Sequence, residues 1–149
     1  MAVRMELSRI LIRELNDLQI IELREMAPEG DEPGADERRL RSFPIVIGLP
    51  EAQAIERRLK GITIKRPQTH DLLAGVIERL GGTLLSITIN DLADHTFFAT
   101  LDVRTVGGET IHVDSRPSDA IAIGIAQDVP IYVEEHVLDS AVSDESESA

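Results

Sequence analysis

The stretch "DSRPSDAIAIGIA", Asp114 to Ala126, decides the fold, because it reads in two ways. Ile121, Ile123 and Ile125 alternate as in a β-strand, while the polar opening with Pro117 and Asp119 has the composition of a helix start. A second stretch resolves the ambiguity. "EAQAIERRL" (51–59) echoes "DAIAIGIAQ" (119–127), and in it Ala52, Ile55 and Leu59 recur at three- and four-residue spacing with charges opposite. The helical reading therefore extends to 117–127, and a helix apolar all round predicts burial on every side.

The echo is not isolated. "ILIRELNDLQIIEL" (10–23) aligns without a gap on "ITINDLADHTFFAT" (87–100), and "THDLLAGV" (69–76) faintly echoes "EHVLDSAV" (135–142). The chain thus reads as an internally duplicated β-β-β-α-β-α unit of the α+β class, with mostly antiparallel strands and packed helices. In the first unit (about 5–80) the elements fall near 5–14, 18–26, 42–48, 50–60, 62–65 and 69–80. In the second (84–141) they fall near 84–90, 95–105, 109–114, 117–127, 130–133 and 135–141. Helix 69–80 has Leu72, Leu73, Val76, Ile77 and Leu80 on one face, Thr69 to cap it and Gly81 to stop it. Residues 1–141 form a single domain, 27–40 an acidic mobile loop, and 142–149 a disordered acidic tail.

Composition narrows the function. A chain of 149 residues with 42% hydrophobic content suffices for one core, and 3% aromatics without Trp leave no base-stacking platform of the single-strand-binder type. The absence of Cys excludes disulfides, a thiol nucleophile and thiolate metal sites. With no long apolar segment, a soluble cytoplasmic protein is expected. The net charge of −12 argues against a polyanionic partner, but the acid is concentrated at 29–39 and 134–149, and Arg57, Arg58, Lys60, Lys65 and Arg66 stand together with no acid between Arg57 and His70.

Two polar clusters stand at helix starts, "KRPQTHD" (65–71) and "DSRPSD" (114–119). Capping and the helix dipole account for Pro117, Ser118 and Asp119 as well as function does. They do not require Asp114 or Arg116, for which the first copy has only "IGLP". His70, beside Asp71 and near Arg66, is the best single candidate for acid/base work, since imidazole titrates near neutrality. Asp91, Asp94, Asp102 and Asp114 offer hard oxygen ligands suited to Mg²⁺ or Mn²⁺, at spacings that match no metal or phosphate-loop motif. His95 and His112 lie in strands, and His136 stands at the helix start equivalent to that of His70.

"FPIVIGLPEAQAI" (43–55), "RPQTHDLL" (66–73), "DLADHTFFATL" (91–101), "DSRPSDAIAI" (114–123) and "VPIYVEEHVL" (129–138) together resemble the bifunctional nuclease domain family over essentially residues 3–140. The resemblance implies a compact α+β domain, a homodimer or higher homo-oligomer, and hydrolysis of DNA and RNA. Under it His70, Asp71, Asp114, Arg116 and Asp119 are the candidate catalytic residues, and Lys65, Arg66, Thr69, Ser115 and Ser118 the candidate substrate-binding ones. The acidic 27–40 segment departs from the family pattern and bears on access by a polyanion. The rival reading is a non-catalytic oligomeric binding or regulatory domain whose polar clusters are structural.

Overall fold

The computed structural model describes residues 1–13, 18–27 and 40–148. All but the ends of the expected acidic loop 27–40 lies outside these residues. The elements are β1 (Ala2–Leu11), β2 (Leu18–Glu25), β3 (Ser42–Gly48), α1 (Leu49–Leu59), α2 (Thr69–Arg79), β4 (Thr83–Ala93), β5 (Thr96–Arg104), β6 (Thr110–Ser115), α3 (Pro117–Gln127), β7 (Ile131–Glu134) and α4 (Glu135–Ser148). The class is α+β, as the strand-rich halves and their turns predict.

The strands form one sheet in the order β3-β2-β1-β7-β4-β5-β6. Two antiparallel meanders flank β7, which runs antiparallel to β1 and parallel to β4. Period-two patterning places Ile21 and Leu23, Phe43, Ile45 and Ile47, Ile87 and Ile89, and Leu101 and Val103 on one face, where they join the core. The β4–β5 hairpin turns through Asp94 and His95 at φ 51° and 62°, the left-handed pair a tight hairpin needs. The sheet rolls strongly. Phe43 of β3 stacks on Phe97 of β5 with ring centroids 5.4 Å apart, although four strands separate β3 from β5 in the sheet order.

Helix α3 touches β4 and β5 as well as α1 and α2, which is why an all-apolar segment is stable there as a helix. Ala120 to Gly124 are all buried. Gly124 permits the close approach to β4, since a Cβ at that position would lie 3.3 Å from Ile87 Cγ2.

Three expectations need correction. Residues 62–65 form no strand: the gap between the two meanders is one strand wide, and β7 fills it. Strand β1 begins at Ala2 rather than 5, because its first half pairs with β7, from Ala2 opposite Glu134 to Met5 opposite Ile131. Helix α4 continues to Ser148 where a disordered tail was expected from 142. Val137, Leu138 and Ala141 anchor its first turns in the core, and extending a nucleated helix costs far less than starting one.

Candidate active site

The two helix starts singled out in the sequence meet. His70 lies in the first turn of α2, whose N-cap is Gln68, and the Gln68 backbone N–H donates to Asp71 Oδ2 at 3.1 Å. Asp71 is thus engaged in capping. His70 points at α3: its Nε2 is 3.0 Å from Asp119 Oδ1. The other oxygen of Asp119 accepts from Arg116 Nε at 2.9 Å, and Arg116 reaches on to Glu51 Oε1 of α1 at 3.0 Å. A continuous chain, His70 to Asp119 to Arg116 to Glu51, joins the starts of α2, α3 and α1.

The electrostatics follow from this geometry. Burial pushes the Asp119 carboxyl up, but the hydrogen bonds from Arg116 and His70 outweigh it and hold the group below the usual carboxylate range. Arg116 is in turn held more firmly charged by Asp119 and Glu51. An ionised carboxylate only accepts, so the proton of a neutral His70 sits on Nε2, and Nδ1 remains as the proton acceptor. The His70 side chain keeps 18% of its exposure and Asp119 32%, so the pair is shielded yet reachable.

His70 also lines a cleft of about 290 Å³, together with Arg57 and Arg58 of α1, Gln68, Asp71, and Ala122 and Ala126 of α3. Arg57 donates to the neutral Gln68 amide. Among the described residues no carboxylate pairs with Arg57, Arg58, Lys65 or Arg66. The cleft therefore sets two arginines without an ion-pair partner, and the Asp71 carboxylate, next to an imidazole with a defined proton acceptor.

The remaining candidates are dispersed. Lys65, Arg66 and Thr69 are exposed along the α1–α2 connection and the start of α2. The Ser115 hydroxyl donates to the Arg116 carbonyl at 2.8 Å, and Ser118 is buried. Asp114 parts company with Arg116. On β6, Val113 pairs with the core residue Leu101, whereas Asp114 pairs with Thr100 and His112 with Asp102. Alternation along the strand thus turns Asp114 and His112 to the sheet face away from α3.

That opposite face carries a second His–Asp pair. Asp102, 6% exposed, accepts from Ser86 Oγ at 2.8 Å, Thr88 Oγ1 at 2.6 Å and Thr100 Oγ1 at 2.9 Å, and lies 2.7 Å from His112 Nδ1. Burial raises its pKa, and the Thr88, His112, Ser86 and Thr100 hydrogen bonds together lower it further than that. With both oxygens so engaged, Asp102 does not fit the role of a Mg²⁺ or Mn²⁺ ligand. Asp91 binds the Leu92 backbone N–H at 2.8 Å and has His136 Nε2 at 3.8 Å, and Asp94 is a hairpin-turn residue. Among the described residues no three His, Asp or Glu groups converge as a cation site, so the four aspartates offered as oxygen ligands do not gather into one.

Sequence reasoning missed three features: Glu51 as a partner of Arg116, Arg57 and Arg58 as cleft residues, and the Asp102–His112 pair. The signal for Glu51 was present, since it aligns with Asp119 in the two echoing helices. The pairing of Asp102 with His112 across two strands had no local signal.

The bifunctional nuclease domain profile matches residues 35–146. An uncharacterized protein of Mycobacterium tuberculosis is 44% identical over 110 residues, covering 72% of this chain and 65% of the relative. Bifunctional nuclease 1 of Oryza sativa subsp. indica is 27% identical over 129 residues, covering 82% of this chain and 38% of the relative. Bifunctional nuclease 1 of Arabidopsis thaliana is 24% identical over 97 residues, covering 64% and 30%. The chain spans less than two thirds of the length of each of these relatives. With more than half of its residues inside the matched profile, it belongs to the bifunctional nuclease domain family.

Proposed function

We propose that this domain hydrolyses phosphodiester bonds of DNA and RNA at the His70 cleft. One observation carries the reading: His70, tied through Asp119 to Arg116, lines a cleft whose cations, Arg57 and Arg58, have no carboxylate ion-pair partner among the described residues. The names of the plant relatives support it. Arg57 and Arg58 hold the phosphate, and Lys65 and Arg66 extend the basic track to flanking phosphates. DNA has no 2′-hydroxyl, so one mechanism for both polymers uses water as the nucleophile. As the water oxygen bonds to phosphorus, His70 Nδ1 takes its proton and the imidazolium so formed is stabilised by Asp119; the P–O bond to the sugar breaks, and the departing sugar oxygen takes a proton from solvent. Arg116 donates from Nε to Asp119 and from Nη2 to Glu51, and so positions the carboxylate. Asp71 caps α2, and Asp114, on the other face of the sheet, has no part in this step.

The test is cleavage of plasmid DNA and of RNA by purified protein, with and without chelator, for the wild type and His70→Ala. Loss of general base catalysis lowers the rate ~10²–10⁴-fold. Absence of wild-type cleavage, or an unchanged rate in His70→Ala, overturns the proposal, and the chelator arm reports any contribution of a divalent cation.

One observation favours a second reading. The same four residues tie α1, α2 and α3 together, as a non-catalytic binding or regulatory domain would need. Under that reading Arg116→Ala lowers the melting temperature and leaves any nuclease rate where it was.

A further inference from the structure

The His70 cleft is more than a phosphate site, because its floor is apolar. Ala122 and Ala126, one helical turn apart on α3, and Ala54 on α1 present only methyl groups, and Ile62 stands at the rim 53% exposed. A groove for phosphate alone needs cations, not a methyl-lined recess beside them. The volume of about 290 Å³ lies at the lower end of the ~300–1,000 Å³ usual for small-molecule sites, which is too small for a duplex. The polar side chains of the lining include Gln68 and Asp71. Gln68 gives its amide oxygen to Arg57, leaving its NH₂ to donate, and Asp71 gives Oδ2 to the Gln68 backbone, leaving Oδ1 to accept. A donor and an acceptor side by side match the edge of a nucleobase, whose faces need an apolar or guanidinium surface.

We propose that the cleft takes one unpaired nucleotide, with its base on the Ala54–Ala122–Ala126 floor and its phosphate on Arg57 and Arg58. The substrate class is then single-stranded nucleic acid or an unpaired end, since a base inside a duplex must leave the stack before it reaches such a floor. This inference rests on the phosphodiesterase reading only for the position of the scissile phosphate beside His70. Base binding is therefore measured apart from cleavage.

The experiment is isothermal titration of the full chain with adenosine 5′-monophosphate, with adenosine and with inorganic phosphate. It is followed by competition of the monophosphate with a single-stranded 12-mer and with the blunt duplex of the same sequence. The monophosphate should bind at least tenfold more tightly than phosphate, and the single strand should displace it at a tenth or less of the duplex concentration. Ala126→Leu fills the floor and should weaken monophosphate binding at least tenfold while phosphate binding is retained. Ala54→Leu, on a different helix, serves the same purpose if circular dichroism shows Ala126→Leu to be unfolded. Equal affinity for phosphate and monophosphate, equal competition by duplex and single strand, or monophosphate binding unaffected by both fillings overturns the base pocket. That result leaves the nuclease reading standing if His70→Ala still loses cleavage. Conversely, tight and filling-sensitive monophosphate binding with an unchanged His70→Ala rate keeps the pocket and removes the nuclease.

Discussion

At the scale of single residues, the carboxylates do different work according to what donates to them. Asp119 is shared between an imidazole and a guanidinium. In Asp119→Asn the amide keeps the shape but loses the charge that holds the His70 proton on Nε2, so we expect cleavage to fall ~10²-fold or more, measured on the same substrates. Asp102 is held by three hydroxyls and His112, and removing it strands those donors. Asp102→Ala should cost roughly 2–4 kcal/mol in chemical denaturation. Both groups have pKa values lowered by folding, so their stabilisation is complete above the ordinary carboxylate value and is lost as pH falls through the folded one. Stability should therefore hold near neutrality and decline below about pH 4, with a shallower decline in Asp102→Ala.

At the scale of elements, α3 and α2 show what periodicity can and cannot convey. The comparison of 119–127 with 51–59 identified α3 as a helix despite its strand-like alternation, and its burial followed from its composition. For α2 the apolar face was equally legible, yet Leu72, Leu73, Val76 and Leu80 are each more than 40% exposed and Ala74 is the buried residue. Periodicity finds a face but not what covers it. Ile121→Ala in α3 should cost ~2–5 kcal/mol from the denaturant midpoint, whereas Leu72→Ala should change stability by less than about 1 kcal/mol. Residues 62–65 carry strand formers, Ile62, Thr63 and Ile64, but propensity is a weak guide to strands, and the slot between the two meanders is taken by β7.

At the scale of the whole molecule, the rolled sheet creates the site. Helix α1 follows β3 and α3 follows β6, the two edges of the sheet, and rolling brings their starts within reach of one arginine. The net charge of −12 conceals a basic track at 57–66. Binding to single-stranded nucleic acid should weaken with salt, and replacing both Arg57 and Arg58 by Ala should lower the log–log salt slope by roughly 1.4, at ~0.7 per phosphate contact, in fluorescence anisotropy titrations. Homo-oligomerisation, expected from the family resemblance, is checked by sedimentation of the purified protein.

The sequence by itself determined the α+β class, the positions of most strands and helices and the buried character of α3, and it singled out His70, Asp71, Asp114, Arg116 and Asp119 as candidates. These are local properties: period, caps, turn residues and the echo between two stretches of one chain. Only the tertiary structure decided which of them meet. Asp114 and Arg116 are two residues apart in sequence, yet strand alternation sends Asp114 to the opposite sheet face while Arg116 reaches Glu51, 65 positions away, and is linked to His70 through Asp119. Contacts of that range are set by sheet order and curvature. Those depend on the packing of the whole core, which no local pattern contains.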